Sequence, residues 1–206
     1  MCIQKLPLHT KIWMKICRIH RKGGFGIQSP FAFNLVTGVI YEDGEYYAYE
    51  SLSDLSKQNN ASWREKDDRL MMRLANDHQP RNCLLWGDDS SLVREYIKTG
   101  KAECKQVVIL DNKKEAFLDY ANKYAGNFDL IYVSSPQWVE VFCEILSLCG
   151  SSTLLVVRNI NSSRAVHRKW NALINDKRCR VSFDLPTMGL VYFYPKLNKR
   201  DYVIDF

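Results

Sequence analysis

The sequence predicts an α/β protein: a doubly wound, mostly parallel sheet with a C-terminal antiparallel hairpin, preceded by N-terminal helices. Three observations predict it. From Cys83 onward, short β-rich apolar runs alternate with stretches of helical spacing, the pattern of a parallel sheet covered by helices on both faces. Near the C-terminus two such runs are joined only by Pro186-Thr187-Met188-Gly189, a turn sequence that makes them a hairpin. A chain of 206 residues, 46% hydrophobic, buries one substantial core and is too short for two.

The elements follow in order. Met1 to Lys22 carry Lys5, Lys11, Lys15, Arg18, Arg21 and Lys22 with no acid, while the remainder balances 23 basic against 23 acidic residues. Lys11, Lys15, Arg18 and Lys22 fall on one helical face, and Ile12, Trp13, Ile16 and Ile19 on the other. This basic amphipathic helix suits an anionic surface, nucleic acid or an acidic partner, or packs its apolar side on its own domain with a solvated basic face. Gly23-Gly24-Phe25-Gly26 reads as a joint, and Ser29-Pro30 as an N-cap with proline at the first position of a second helix. Tyr46-Tyr47-Ala48-Tyr49 either lids a ligand or packs. A polar stretch from Ser51 to Lys66 leads to a helix over Asp67 to Asn76, so residues 1–66 form a helical extension and linker and 67–206 the α/β domain.

Strands are expected over Cys83 to Trp86, Gln106 to Leu110, Asp129 to Val133, Thr153 to Val157, Arg180 to Leu185 and Leu190 to Tyr194, with a last extended piece over Tyr202 to Phe206. Helices are expected over Ser91 to Lys98, Lys113 to Tyr124, Gln137 to Leu148 and Ser163 to Asn175. Only residues 112–127 separate Asp111 from Phe128, room for one helix and not for a further strand with its helix. The second strand is therefore expected at the edge of the sheet.

Seven cysteines without C-x-x-C spacing describe neither a disulfide framework nor a zinc site, and Cys83, Cys143 and Cys149 read as core thiols of a reducing compartment. No run has the length of a membrane span, and Lys11, Lys15 and Arg18 interrupt the apolar N-terminus where a signal peptide needs an unbroken core. The expected location is cytoplasmic.

Asn82 to Asp111 has the outline of a nucleotide-cofactor βαβ unit: a strand, the turn Gly87-Asp88-Asp89-Ser90, a helix, and a second strand ending in an acid placed to meet ribose hydroxyls. Gly87 suits the tight turn and Asp88 a ligand ammonium, yet only one glycine is present. The same turn also reads as an unliganded βα connection with Ser90 or Ser91 as helix N-cap, and Asp111 as the cap of the helix at Lys113.

Gly26-Ile27-Gln28-Ser29-Pro30-Phe31, the tyrosine cluster, Phe128-Asp129-Leu130-Ile131-Tyr132-Val133 and Asp184 to Phe193, taken in order, resemble a bacterial O-methyltransferase-like family associated with Bacteroidetes. The likeness spans roughly His20 to Phe206 with gaps, within the class I S-adenosylmethionine-dependent methyltransferases. It implies a Rossmann-like fold, S-adenosylmethionine as cofactor, and cofactor contacts at Gly87, Asp88, Asp111, Asn112 and Ser134. It also marks this chain as a degenerate member, because Asp89, Ser90 and Ser91 stand where the family keeps small residues. Metal-dependent relatives place carboxylates where this chain has Ser134-Ser135 and Arg158-Asn159, so no metal site of that type is expected. His167, on a polar helix, reads as solvated, and no catalytic base is identified.

Two functions follow from the resemblance: methyl transfer to an unidentified small or macromolecular acceptor, or an inactive methyltransferase-fold pseudoenzyme that acts through a partner or surface bound by the basic helix. Nucleic-acid binding by the basic arm is a third, tested by salt-dependent affinity.

Overall fold

The computed structural model describes residues 26–59, 65–123 and 128–206. The basic helix expected over Lys11 to Lys22 lies outside them, as does Tyr124. The strands are β1 (Asn82–Trp86), β2 (Lys105–Ile109), β3 (Phe128–Val133), β4 (Cys149–Arg158), β5 (Val181–Asp184), β6 (Met188–Tyr192) and β7 (Arg200–Val203). They form one sheet in the order β2-β1-β3-β4-β6-β5-β7. β2, β1, β3 and β4 pair in parallel, β6 runs antiparallel to both β4 and β5, and β7 adds to β5 in parallel.

The helices are α1 (Pro30–Leu35), α2 (Ala48–Gln58), α3 (Glu65–His78), α4 (Ser90–Gly100), α5 (Lys114–Lys123), α6 (Phe142–Ser147) and α7 (Arg164–Ile174). Their division between the two faces of the sheet is dictated by the period of two along each strand. Cys83, Leu85, Leu130, Tyr132, Leu154 and Val156 point to one face, where α1, α3 and α4 bring Leu35, Leu70, Met71, Leu74, Val93 and Ile97. Leu84, Trp86, Ile131, Val133, Leu155 and Val157 point to the other, against Phe117 of α5, Ile145 of α6, and Trp170 and Leu173 of α7. Each large side chain fully buried there contributes about 1.5–3 kcal/mol. A third cluster, Tyr49, Leu52, Met72, Leu92 and Tyr96, docks α2 on α3 and α4.

The hairpin, the single helix between β2 and β3, and the edge position of β2 agree with the sequence. Five details differ. The stretch from Ser51 is not a linker but the greater part of α2, because Tyr49, Leu52 and Ser56 form one buried stripe at helical spacing. The helix expected over Gln137 to Leu148 is broken: a 3-10 turn, Pro136–Glu140, gives way at Val141 (φ −123°, ψ 24°), and α6 restarts after it. β4 starts at Cys149 because Phe128 pairs there before a register shift. Met188 and Gly189 belong to β6 and not to the turn; a Cβ on Gly189 would lie 2.3 Å from the Trp170 indole, so the glycine is what admits that ring. Cys143 is exposed and is not a core thiol, since α6 turns Ile145 and Leu146 inward instead, whereas Cys83 is buried. Among the described residues no helix is long and apolar enough to cross a membrane.

Candidate functional site

β1, β2 and β3 end on the same side of the sheet, and the loops that follow them are tied together. The Gly87 N–H donates to the Ile109 carbonyl at 2.9 Å, and the Ser134 N–H to the Trp86 carbonyl at 2.8 Å. The Trp86 indole, stacked on Phe117 at 4.5 Å, donates to the Asp111 carbonyl at 2.8 Å. The Ser135 hydroxyl donates to the Asn112 carbonyl at 2.6 Å, and the Lys114 N–H to Gln137 Oε1 at 2.6 Å. The structure thus brings together Gly87, Asp111, Asn112 and Ser134 on one rim.

Gly87 is required at its position twice over. Its φ of +138° is a conformation side chains rarely adopt, and a Cβ there would lie 1.9 Å from Ser134 Oγ and 2.9 Å from the Ser135 nitrogen. The chain then turns so that Asp88 is exposed and Asp89 faces inward. Asp89 Oδ1 accepts the Ser134 hydroxyl at 2.5 Å and Oδ2 the Tyr132 hydroxyl at 2.9 Å. With its carboxylate so engaged, Asp89 occupies the N-cap position of α4 without a capping side-chain bond, so neither Ser90 nor Ser91 is the N-cap residue. The Ser90 hydroxyl is instead buried with no hydrogen-bond partner among the described residues.

Asp111 is exposed, and its Oδ1 accepts the Lys113 N–H at 2.9 Å, the turn-forming bond open to it as an acid just before α5. Oδ2 carries no hydrogen bond among the described residues. Asn112 is half-buried, and its Oδ1 is enclosed without a partner among those residues. A buried acceptor of this kind costs about 1–3 kcal/mol until something donates to it.

The end of β4 is built differently. Arg158 is 2% exposed, with Nη2 lying 3.2 Å from Asp67 Oδ2 and Nη1 3.8 Å from Asp68 Oδ1; both acids come from the first turn of α3. Thr187 donates to Asp67 Oδ1 at 2.8 Å, and Asn159, at φ +57°, donates its N–H to the Thr187 carbonyl at 2.7 Å. The end of β4 therefore holds a fixed, buried cation matched by two acids of α3. Among the described residues no group of three His, Cys, Asp or Glu side chains is arranged to hold a metal.

His167 is only half-exposed: its Nδ1 is enclosed 3.9 Å from Asp184 Oδ2, because α7 lies over β5 and not wholly in solvent. It borders a cavity of about 280 Å³ with Trp170, Asp184 and Tyr202, and none of the rim residues lines that cavity. A second cavity, of about 600 Å³, lies between the segment after α1, α3 and Phe206.

Sequence reasoning missed Asp89, Tyr132, Ser135 and Gln137 as members of the rim. Tyr132 carried a signal: it is the one hydroxyl-bearing residue in the apolar run of β3, next to Ser134-Ser135.

No protein-family model and no curated protein matches the sequence. Solved structures do match in fold. The SAH-bound methyltransferase PaMTH1 of Podospora anserina superposes with TM-score 0.53 at 14% identity, covering 80% of this chain and 96% of that one. The O-methyltransferase of Bacillus cereus in complex with SAH gives TM-score 0.52 at 12% identity over 73% of this chain and 92% of that one. TomG, the SAM-bound O-methyltransferase of Streptomyces achromogenes involved in tomaymycin synthesis, gives TM-score 0.52 at 14% identity, with 73% and 91% covered. The chain has the Rossmann-like fold of these methyltransferases.

Proposed function

We propose that the chain is a degenerate S-adenosylmethionine-dependent methyltransferase-like protein that holds its cofactor across Gly87, Asp88, Asp111, Asn112 and Ser134. The observation that carries the reading is the gathering of Gly87, Asp111, Asn112 and Ser134 on one rim, with Ser90 Oγ at the start of α4 and Asn112 Oδ1 after β2 enclosed and without hydrogen-bond partners among the described residues. The residues fit such a group. Gly87 keeps side-chain atoms out of the turn. Asp111 Oδ2 is free to accept from a ribose hydroxyl, Asn112 Oδ1 accepts a further donor, and the exposed Asp88 carboxylate suits an ammonium. When bound, the cofactor supplies an electrophilic methyl group on a sulfonium.

The chain's own contribution is orientation. Methyl transfer needs little proton chemistry once the nucleophile is held in line, so the lack of an assigned base is compatible with activity on an oxygen or nitrogen acceptor. A metal-assisted route does not fit the donor set, because Arg158 replaces a carboxylate and is matched to Asp67 and Asp68.

A second reading is a pseudoenzyme that keeps the scaffold and works through a partner, with Lys11, Lys15, Arg18 and Lys22 meeting an anionic surface. Asp89 favours it: both of its carboxylate oxygens are engaged by Ser134 and Tyr132, inside the turn where the cofactor's methionine part belongs. Calorimetry with S-adenosylmethionine and S-adenosylhomocysteine separates the two. Binding lost in Asp111→Ala supports the cofactor site, and a ligand at ~100 times its dissociation constant then raises stability by about 2.7 kcal/mol. No heat at millimolar ligand would leave only the second reading.

A further inference from the structure

The cavity of about 600 Å³ is separate from the strand-end loops. Glu65, Lys66, Arg69 and Arg73 line it, and they lie on the side of α3 opposite to Asp67, Leu70, Met71 and Leu74, which face the sheet side. At its inner end is Arg73, 8% exposed. Its guanidinium donates to the Val39 carbonyl at 2.8 Å, the Ile40 carbonyl at 3.3 Å and the Tyr49 hydroxyl at 3.1 Å. None of these is a carboxylate, so the buried charge is hydrogen-bonded but not neutralised by them, and two of its five N–H groups have no hydrogen bond among the described residues.

The other charges are disposed unevenly. Arg69 is matched by Glu65 at 2.5 Å and lies 4.4 Å over the Tyr49 ring. Lys66 sits 4.1 Å over the Phe206 ring. Asp43 and Glu45 are exposed and Glu42 half-exposed, forming an acidic mouth. Water screens the mouth far more than it screens Arg73, so the inner end favours an anion although the lining has more acids than free bases. The same acids repel a multiply charged anion and attract a cation at the entrance.

We propose that this cavity is a ligand site for a small zwitterion of the amino-acid type, with its carboxylate on Arg73, its ammonium toward Glu42, Asp43 and Glu45, and an apolar body against Tyr49, Ile40 and Phe206. The site does not depend on the methyltransferase reading.

Titration calorimetry of the full chain with four probes tests it: L-phenylalanine, phenylacetate, phenethylamine and inorganic phosphate. L-phenylalanine is expected to bind saturably, with phenylacetate and phenethylamine each at least about tenfold weaker and phosphate weakest. The exposed double variant Asp43→Asn, Glu45→Gln, which leaves the core untouched, is expected to narrow the gap between L-phenylalanine and phenylacetate. Arg73→Met is expected to remove binding, and its circular-dichroism spectrum checks that it folds. Failure of L-phenylalanine to bind at millimolar concentration, a preference for phosphate, or an unchanged gap between L-phenylalanine and phenylacetate in the Asp43→Asn, Glu45→Gln variant would overturn the proposal.

Discussion

The ends of β1, β2 and β3 and the end of β4 lie side by side on one sheet, yet they hold charge in opposite ways. At β4 the charge of Arg158 is consumed internally, by Asp67 and Asp68 from α3. At the other three strands, backbone and hydroxyl groups tie the loops together while, among the described residues, Ser90 Oγ and Asn112 Oδ1 have no hydrogen-bond partner and Asp88 and Asp111 are exposed. The first arrangement pairs its charges, although Arg158 Nε and Nη1 and Asn161 Oδ1 also lack hydrogen-bond partners among the described residues. The second leaves the carboxylates of Asp88 and Asp111 in solvent, and it is this availability of acids, not unsatisfied atoms alone, that the proposed cofactor site rests on. Position on the sheet alone does not distinguish the two ends, and the charge partner of each side chain does.

The largest effect should come from breaking the closed end. Arg158→Ala strands two buried carboxylates and is expected to cost about 3–5 kcal/mol in urea unfolding. A loss under about 1 kcal/mol would mean that water reaches these acids and the end of β4 is open too. Next is Gly87→Ala, where strain at φ +138° and the clash with Ser134 Oγ should cost about 1–3 kcal/mol. Adding Ser134→Ala should recover only part of it, since the Ser135 nitrogen still lies 2.9 Å from the new Cβ. Tyr132→Phe removes one hydrogen bond to Asp89 and should cost about 1 kcal/mol in urea unfolding.

The smallest effect belongs to a surface pair that serves as baseline for the buried one. Hydrogen bonds from the Arg178 side chain hold the Asp176 carboxyl below its ordinary range, against a smaller opposing effect of desolvation. A depressed folded-state value means that the stabilisation is present above the unfolded carboxylate range and lost as pH falls through the folded value. Urea midpoints of the parent and Asp176→Asn should therefore differ slightly at neutral pH and converge in acid, and a constant difference across that range would remove the assignment.

The sequence was most informative where a periodic pattern met a length limit. Sixteen residues between Asp111 and Phe128 allow one helix, and β2 duly lies at the sheet edge. The alternation of short apolar runs with helical stretches along the chain likewise announced a sheet packed on both faces. Helix α2 was obscured because its surface is polar and only Tyr49, Leu52 and Ser56 turn inward. At the rim, the sequence drew attention to Gly87 and Asp111 through their places after strands. It gave no means of knowing which of Asp88 and Asp89 turns inward, because that depends on Tyr132 and Ser134, more than 40 residues away. Asp67 and Asp68 looked like ordinary acids for a helix N-terminus, and nothing local points to Arg158.

The central claim, that the rim at β1 to β3 takes the nucleoside part of a cofactor, is tested most directly by the indole resonances of the tryptophans in a ¹⁵N-labelled sample titrated with S-adenosylhomocysteine. Trp86 donates its indole N–H to the Asp111 carbonyl, whereas Trp170 lies under Gly189 on the far part of the sheet. The account predicts a saturable shift of the Trp86 signal with Trp170 unmoved, absent in Asp111→Ala. A still Trp86 signal at millimolar ligand, or a shift confined to Trp170, would contradict it.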